Sequence, residues 1–155
     1  MIRPATADDA SPIATLWNQI IRDTTITFTT QLKTSEQIAQ MIANSPVFVA
    51  EDAGFGGFAS YAQFRDGPGY ARTMEHSIHL TRGARGKGFG RALLNKVEAH
   101  AKSGGAHSMI AGISAENGSA LAFHLALGYR ETGRLPQAGW KFERWIDLVF
   151  VQKFL

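Results

Sequence analysis

A chain of 155 residues, 45% of them hydrophobic, is long enough to bury a core and carries no Pro/Ser-rich linker or repeat to divide it, so a single domain over residues 1–155 is expected. The absence of cysteine excludes disulfides, thiolate metal sites and a cysteine nucleophile. The formal charge is +3, but Lys and Arg gather only at residues 82–91, which favours a small anionic ligand over a nucleic-acid track.

No uninterrupted apolar stretch reaches bilayer-spanning length, and the pattern of a folded chain starts at Met1, so no membrane association and a cytoplasmic location are expected. Ile2–Pro4 reads as a short first strand. Thr6 to Asp9 then offer caps for a helix with Ile13, Leu16, Trp17, Ile20 and Ile21 on one face, which places Trp17 in the core. Residues 22–33 are polar and β-branched, with Phe28 isolated among threonines. Phe28 either lines a cleft or plugs the pair of helices that the next periodic segment, about Ser35 to Ala43, completes.

Pro46 opens a buried-looking strand, Val47 to Ala50, and residues 52–57 turn into a second strand, Phe58 to Phe64. The glycines at 54 and 56 match a loose dinucleotide pattern, but an alternating strand follows them where that motif needs a helix. Arg65 to Gly69 is a loop, and the chain returns from Tyr70 as a strand. A helix that starts at Gly90 ends at Gly104 and Gly105, and a strand follows over His107 to Ile113. Residues 115–119 cap a short helix, Ala120 to Leu127. Two final strands, Tyr129 to Leu135 and Phe142 to Phe150, are joined by a loop that carries Pro136 and Gly139. This order predicts an α+β chain: a mixed sheet with helices on both faces.

The chemistry concentrates at residues 75–91. An apolar run, Ser77 to Thr81, breaks at Arg82 and Gly83 into a glycine-rich turn, and helical spacing begins at Gly90 with Leu93, Leu94, Val97 and Ala101. The first N–H groups of a helix have no internal partner and carry the positive end of its dipole. Gly86, Gly88 and Gly90 let backbone approach an anion, and Arg85, Lys87 and Arg91 add cations, so a diphosphate suits the turn. A Walker A loop would need Lys after Gly88, where Phe89 stands. The Gly-x-Gly-x-x-Gly spacing also fails, with Arg91 or Leu93 at the last position. The segment alone leaves open a plain glycine-rich turn that caps a surface helix.

Arg85 to Gly90 (RGKGFG) resembles the Arg/Gln-x-x-Gly-x-Gly/Ala signature of the GCN5-related N-acetyltransferases (GNAT superfamily), whose loop cradles the pyrophosphate of coenzyme A. Asn117 to Tyr129 resembles the same family's second signature, an Asn-initiated helix that ends at Gly-Phe/Tyr and contacts the pantetheine arm. The stretches starting at Thr27 (TFTT), Arg72 (RTMEHSI) and Gly139 (GWKFERWID) look like the phosphinothricin and methionine sulfoximine acetyltransferase branch, a resemblance that spans essentially the whole chain. It implies a three-layer fold with about seven strands and about four helices. It also implies acetyl-CoA as donor, the α-amine of a small methionine-like or glutamate-like acceptor, and a homodimer. His124 stands where most of the superfamily has Tyr.

An ammonium must lose a proton before its nitrogen can attack a thioester, which makes Glu75 the candidate base, acting directly or through water. His124 is the candidate acid for the departing thiolate, as an imidazolium, or else a helix residue bonded to backbone. Backbone near Ile78, His79 and Leu80 is expected to hold the acetyl carbonyl and pantetheine. Arg85, Gly86, Lys87, Gly88, Phe89, Gly90 and Arg91 are expected at the diphosphate, and Asn117 and Ser119 near the arm. The acceptor side is expected to involve Phe28, Tyr61, Arg72, Glu75, His76 and Ser77, with Arg72 as carboxylate clamp despite lying on the opposite strand face from Glu75. His76 and His79 also point to opposite faces and cannot share an ion, so no metal is expected. Two other readings remain: a protein N-terminal acetyltransferase, and a non-catalytic acyl-CoA sensor that keeps the loop.

Overall fold

Val47, Val49 and Phe58 face one side of a sheet while Phe48, Ala50 and Ala59 face the other, and this period of two sorts the whole interior into two clusters. The computed structural model describes residues 1–155. The elements in chain order are β1 (Ile2–Pro4), α1 (Ala10–Asp23), α2 (Ser35–Asn44), β2 (Val47–Glu51), β3 (Phe55–Gln63), β4 (Thr73–Leu80), α3 (Phe89–Ser103), β5 (Ser108–Ser114), α4 (Gly118–Ala126), β6 (Arg130–Lys141) and β7 (Arg144–Phe154). All seven strands join one sheet in the order β1-β2-β3-β4-β5-β7-β6. Only β4 and β5 run parallel, so the sheet is mixed.

On one face, α1 buries Ile13, Ala14, Leu16 and Ile20 and α2 buries Ile38 against Val47, Val49 and Phe58. The start of α2 is fixed by Thr34, whose hydroxyl accepts from the Gln37 N–H while the Gln37 side chain accepts from the Thr34 N–H. Such reciprocal caps contribute about 1 kcal/mol. On the other face, α3 buries Leu93, Leu94, Val97 and Ala101 against Met109, Ala111, Ile113, Val149 and Val151. Trp17 is half-buried at the edge of the first cluster, stacked near Phe58 and His79 with Lys33 over its ring.

Two expectations about strands are corrected. The segment from Tyr70 begins as a short helical turn, Pro68–Tyr70, and the strand starts only at Thr73. The last hairpin does not loop at Pro136 and Gly139: β6 runs through both, with shifted register between Leu135 and Gly139. As the edge strand, β6 tolerates a proline without losing a ladder bond on both sides. The reversal lies instead at Phe142 and Glu143, with φ of 53° and 60°.

Candidate active site

The parallel pairing of β4 with β5 covers only Thr73 with Ser108, Met74 with Met109 and Glu75 with Ile110. Beyond that point the strands part, although β4 stays paired with β3 to Leu80 and β5 with β7 to Ser114. The Phe64 N–H donates to Thr73 O and the Thr81 N–H to Gly56 O, so the polar groups of odd-numbered β4 residues serve the β3 ladder. By alternation, those of Ile78 and Leu80 face the gap. Ile78 and Leu80 thus present free backbone to the gap, whereas the backbone of His79 belongs to β3 and its ring lies beside Trp17 and Phe58.

A cavity of about 580 Å³ passes through this gap. On the α3/α4 side its walls include Arg85, Gly86, Gly90, Ala120, Phe123 and His124; on the α1 side they include Ile20, Thr27, Phe28, Ser77, Gly112 and Leu148. Asn117 and Ser119 lie at the α4 end. A smaller depression of about 350 Å³ near Thr25 and Phe142 holds Arg144, but that guanidinium is already bound by Glu116 at 2.6 Å.

At the mouth, Gly86 and Gly88 have φ of 75° and 85°, a backbone that side-chain-bearing residues adopt only with strain. The first helical bond of α3 runs from the Ala92 N–H to Gly88 O at 3.0 Å. No N–H from Gly86 through Arg91 donates to an acceptor in the chain, so six successive donors converge on one turn at a helix start. That arrangement fits a diphosphate. Arg85 faces it and Arg91 is exposed on the first turn, but Lys87 pairs with Asp52 at 2.6 Å and is not a free cation. Phe89 packs against the α3-side core, and Gly90 serves packing as well: a Cβ there would sit 3.3 Å from the Phe123 ring. The Asn117 side chain caps α4 by accepting from the Ala120 N–H and from the Ser119 hydroxyl.

Glu75 lies where the strands part, on the α1 side. Its carboxylate makes no hydrogen bond or ion pair, and burial pushes its pKa up. Glu75 Oε2 lies 3.5 Å from where a Cβ on Gly112 would stand. Tyr61 and Arg72 are elsewhere. Tyr61 pairs with His76 across β3 and β4, faces α3 and shares a hydrogen bond with His100 Nδ1 at 2.8 Å. Arg72 is exposed ahead of β4, and its carbonyl accepts from the N–H groups of His107 and Ser108. Neither lines the cavity, because side-chain direction follows strand register and Arg72 precedes the strand.

His124 does line the cavity, but not as an imidazolium. It is buried, its Nδ1 is 2.7 Å from Ala120 O, which can only accept, and its Nε2 is 2.9 Å from His76 Nε2. Burial lowers its pKa, against the raising effects of Ala120 O and Glu98. Burial, with a smaller contribution from His124, lowers His76 to about 3. Both rings are neutral at pH 7. No group of three or more His, Cys, Asp or Glu side chains is arranged to hold a metal ion.

The profile of the acetyltransferase (GNAT) family matches residues 14–129. The chain belongs to the acetyltransferase (GNAT) family. As a GNAT member it is 36% identical to the L-amino acid N-acyltransferase MnaT of Escherichia coli K12 over 97% of this chain and 91% of that protein. It is 34% identical to the L-methionine sulfoximine/L-methionine sulfone acetyltransferase of Salmonella typhimurium, over 97% of this chain and 92% of that one. The ribosomal-protein-alanine N-acetyltransferase of Brucella melitensis superposes with a TM-score of 0.95 at 37% identity, covering 100% and 99% of the two chains. An acetyltransferase of Salmonella typhimurium solved with its cofactor acetyl-CoA superposes with a TM-score of 0.95 at 32% identity, covering 100% and 93%.

Sequence reasoning missed Gly112, Lys141 and Thr27. Gly112 carried a signal, a glycine inside a strand; Thr27 and Lys141 lie in the TFTT and GWKFERWID stretches that carry the branch resemblance, but their contact over 114 residues left no local signal.

Proposed function

We propose that this protein moves the acetyl group of acetyl-CoA to the α-amine of a small amino-acid-like acceptor of the methionine sulfone, methionine sulfoximine or phosphinothricin type. The observation that carries this reading is the parting of β4 from β5. It joins a diphosphate cradle on one face of the sheet to an unpartnered, partly buried carboxylate, Glu75, near the other. Amino-acid-acylating relatives at 34–36% identity support it.

In the reaction Glu75, directly or through one water, takes a proton from the acceptor ammonium. The freed nitrogen attacks the acetyl carbonyl carbon, and a β4 N–H that faces the gap, from Ile78 or Leu80, donates to the developing oxyanion. The new C–N bond is completed as the C–S bond breaks, and the nitrogen, made cationic by its attack, gives a second proton to water. The thiolate takes its proton from solvent, since neutral His124 has no free N–H to give.

The acceptor side is narrow: Phe28 sits against Gly139, and Lys141 Nζ donates to Thr27 O at 2.8 Å. This argues against the open groove a peptide needs, although the Brucella structure bears a protein-acetylating name. We further place the enzyme in the cytoplasm as a homodimer, a reading supported by the exposed Leu135, Trp140, Phe142 and Trp145 of the β6–β7 hairpin. Thiol release from acetyl-CoA tests the activity, with methionine sulfone, methionine sulfoximine, phosphinothricin and alanine-led peptides as acceptors. Turnover on the amino acids and not the peptides is expected. Peptide-only turnover would transfer the assignment to protein acetylation, and acetyl-CoA binding with no turnover would make the protein a sensor.

A further inference from the structure

Met109, Ala111 and Ile113 of β5 pack into the α3-side core, so Ile110, Gly112 and Ser114 face the α1 side. Gly112 is exposed there, in the middle of an interior strand, on the floor of the cavity. A glycine in such a place weakens a strand, and it commonly marks close approach by another backbone or a ligand. No backbone fills the space. A Cβ on Gly112 would meet Glu75 Oε2 and Leu148 Cδ1 at 3.5 Å and Phe150 Cε1 at 3.7 Å, all ordinary contacts, and its φ is not in the left-handed region. Gly90 differs: its Cβ would press on Phe123 at 3.3 Å. The fold therefore tolerates a side chain at 112, and packing does not explain its absence.

The missing side chain leaves bare the cavity floor beside the only carboxylate at the split. We propose that Gly112 is a specificity-determining position, the seat on which the amine-bearing carbon of a small primary-amine acceptor rests within reach of Glu75. This deepens the acyl-transfer reading above and rests on it. A methyl group at 112 would occupy the space through which the amine nitrogen, or its bridging water, reaches Oε2. The seat best accepts an α-amino acid with one hydrogen and one side chain on that carbon, and it penalises further branching there.

Gly112→Ala and Gly112→Val test this, with Glu75→Gln alongside. Each is assayed for thermal midpoint, acetyl-CoA affinity, and kcat and KM on methylamine, glycine, alanine, methionine sulfone and α-methyl amino acids. The expected result is an unchanged or higher midpoint, acetyl-CoA affinity within about twofold, and an acceptor KM raised about tenfold by Ala and more by Val, the scale of one methylene in a closed pocket. The loss should be smallest for methylamine and largest for α-branched acceptors. A purely structural role would instead lower the midpoint and acetyl-CoA affinity together. Wild-type KM in a folded Gly112→Val protein overturns the proposal. The two readings separate cleanly. Loss in Gly112→Val with full activity in Glu75→Gln removes the base and keeps the seat. Transfer only to simple amines removes the amino-acid acceptor, and the graded amines still decide Gly112. No transfer to any primary amine overturns both.

Discussion

His76 Nε2 and His124 Nε2 are 2.9 Å apart, in rings tilted only 15° from each other, 48 residues apart in sequence. The proton positions follow from one carbonyl. Ala120 O accepts from His124 Nδ1–H, so the other nitrogen of neutral His124 is bare and accepts from His76 Nε2–H. That leaves His76 Nδ1 bare, buried and without a partner. A third proton on the pair, the one that would charge it, would have to be carried in a buried site beside another imidazole.

Folding stability should therefore fall with pH earlier than carboxylate titration explains. His76 is held at about 3, His79 at about 4 by burial and then Arg85, and His124 below its ordinary value. Between pH 6.5 and about 4 the unfolded chain takes up protons that the folded chain refuses, so stability is full above 6.5 and is lost on acidification, by up to about 1.4 kcal/mol per pH unit for each histidine. Glu75, pushed up by burial, acts in the opposite sense but is one group against three. Urea denaturation from pH 4 to 8 should show this slope, and His76→Phe with His124→Phe should flatten it. An equal slope in the double variant would contradict the neutral pair.

Turnover should follow Glu75 and not an imidazole. Glu75→Gln is expected to lower kcat on the order of 10²-fold near neutral pH, with recovery as pH rises and the amine deprotonates by itself. A break near pH 6.5 in wild type that disappears in His124→Phe would restore His124 as the acid.

The segment from β4 through the glycine turn into α3, and the start of α4, were legible in the sequence because their signals are local: glycines where φ is positive, helical spacing from Leu93 onward, and an Asn cap at residue 117. The acceptor side was not. Tyr61 and Arg72 were assigned by residue type, whereas their direction depends on register and on where β4 begins. The His76–His124 pair arises only when β4 meets α4. The reversal at Phe142 and Glu143 uses positive φ without glycine or asparagine, so the usual turn signal is missing and Pro136 drew the loop to the wrong place.

At the loop, Gly88→Val places a β-branched residue at φ 85° beside the unpaired amides, and acetyl-CoA affinity should fall by at least about 100-fold, since both strain and steric exclusion act. Arg85→Ala should weaken binding only severalfold, and less at high salt, because it removes one exposed cation. Calorimetric titration distinguishes them. Unchanged affinity in a folded Gly88→Val protein would exclude this turn as the diphosphate site.

Assembly should depend on the last hairpin. Trp140 and Trp145 pair across β6 and β7 at 4.9 Å between ring centroids while remaining 54% and 56% exposed. Large aromatic surface left in water on an edge hairpin marks an interaction face. Sedimentation at micromolar concentration should give a dimer, and Trp145→Glu a monomer. A monomeric wild type would refute the homodimer.

Lys141 is 2% exposed, forms no ion pair, and donates from Nζ to Thr27 O at 2.8 Å and more weakly to Thr27 Oγ1 at 3.4 Å. Burial lowers its pKa, so holding the ammonium there carries a desolvation cost. What it fixes is the segment between α1 and α2, whose Thr27 and Phe28 line the cavity, while Gly139 of the same hairpin accepts the Phe28 ring. Lys141→Met keeps the apolar stem, removes a desolvated charge and leaves Thr27 O without its donor. Those effects oppose each other, each on the order of 1–3 kcal/mol, so the net stability change should be small. The acceptor wall, however, loses its tie. Acceptor KM should rise severalfold with acetyl-CoA affinity unchanged, and Gly139→Ala, which drives a methyl into the Phe28 ring, should produce the same split. If both constants move together in Lys141→Met, the contact supports the fold as a whole. If neither moves, the loop is held by its other bonds, among them the reciprocal pair between the Asn18 side chain and the Lys33 backbone at 2.8 Å each.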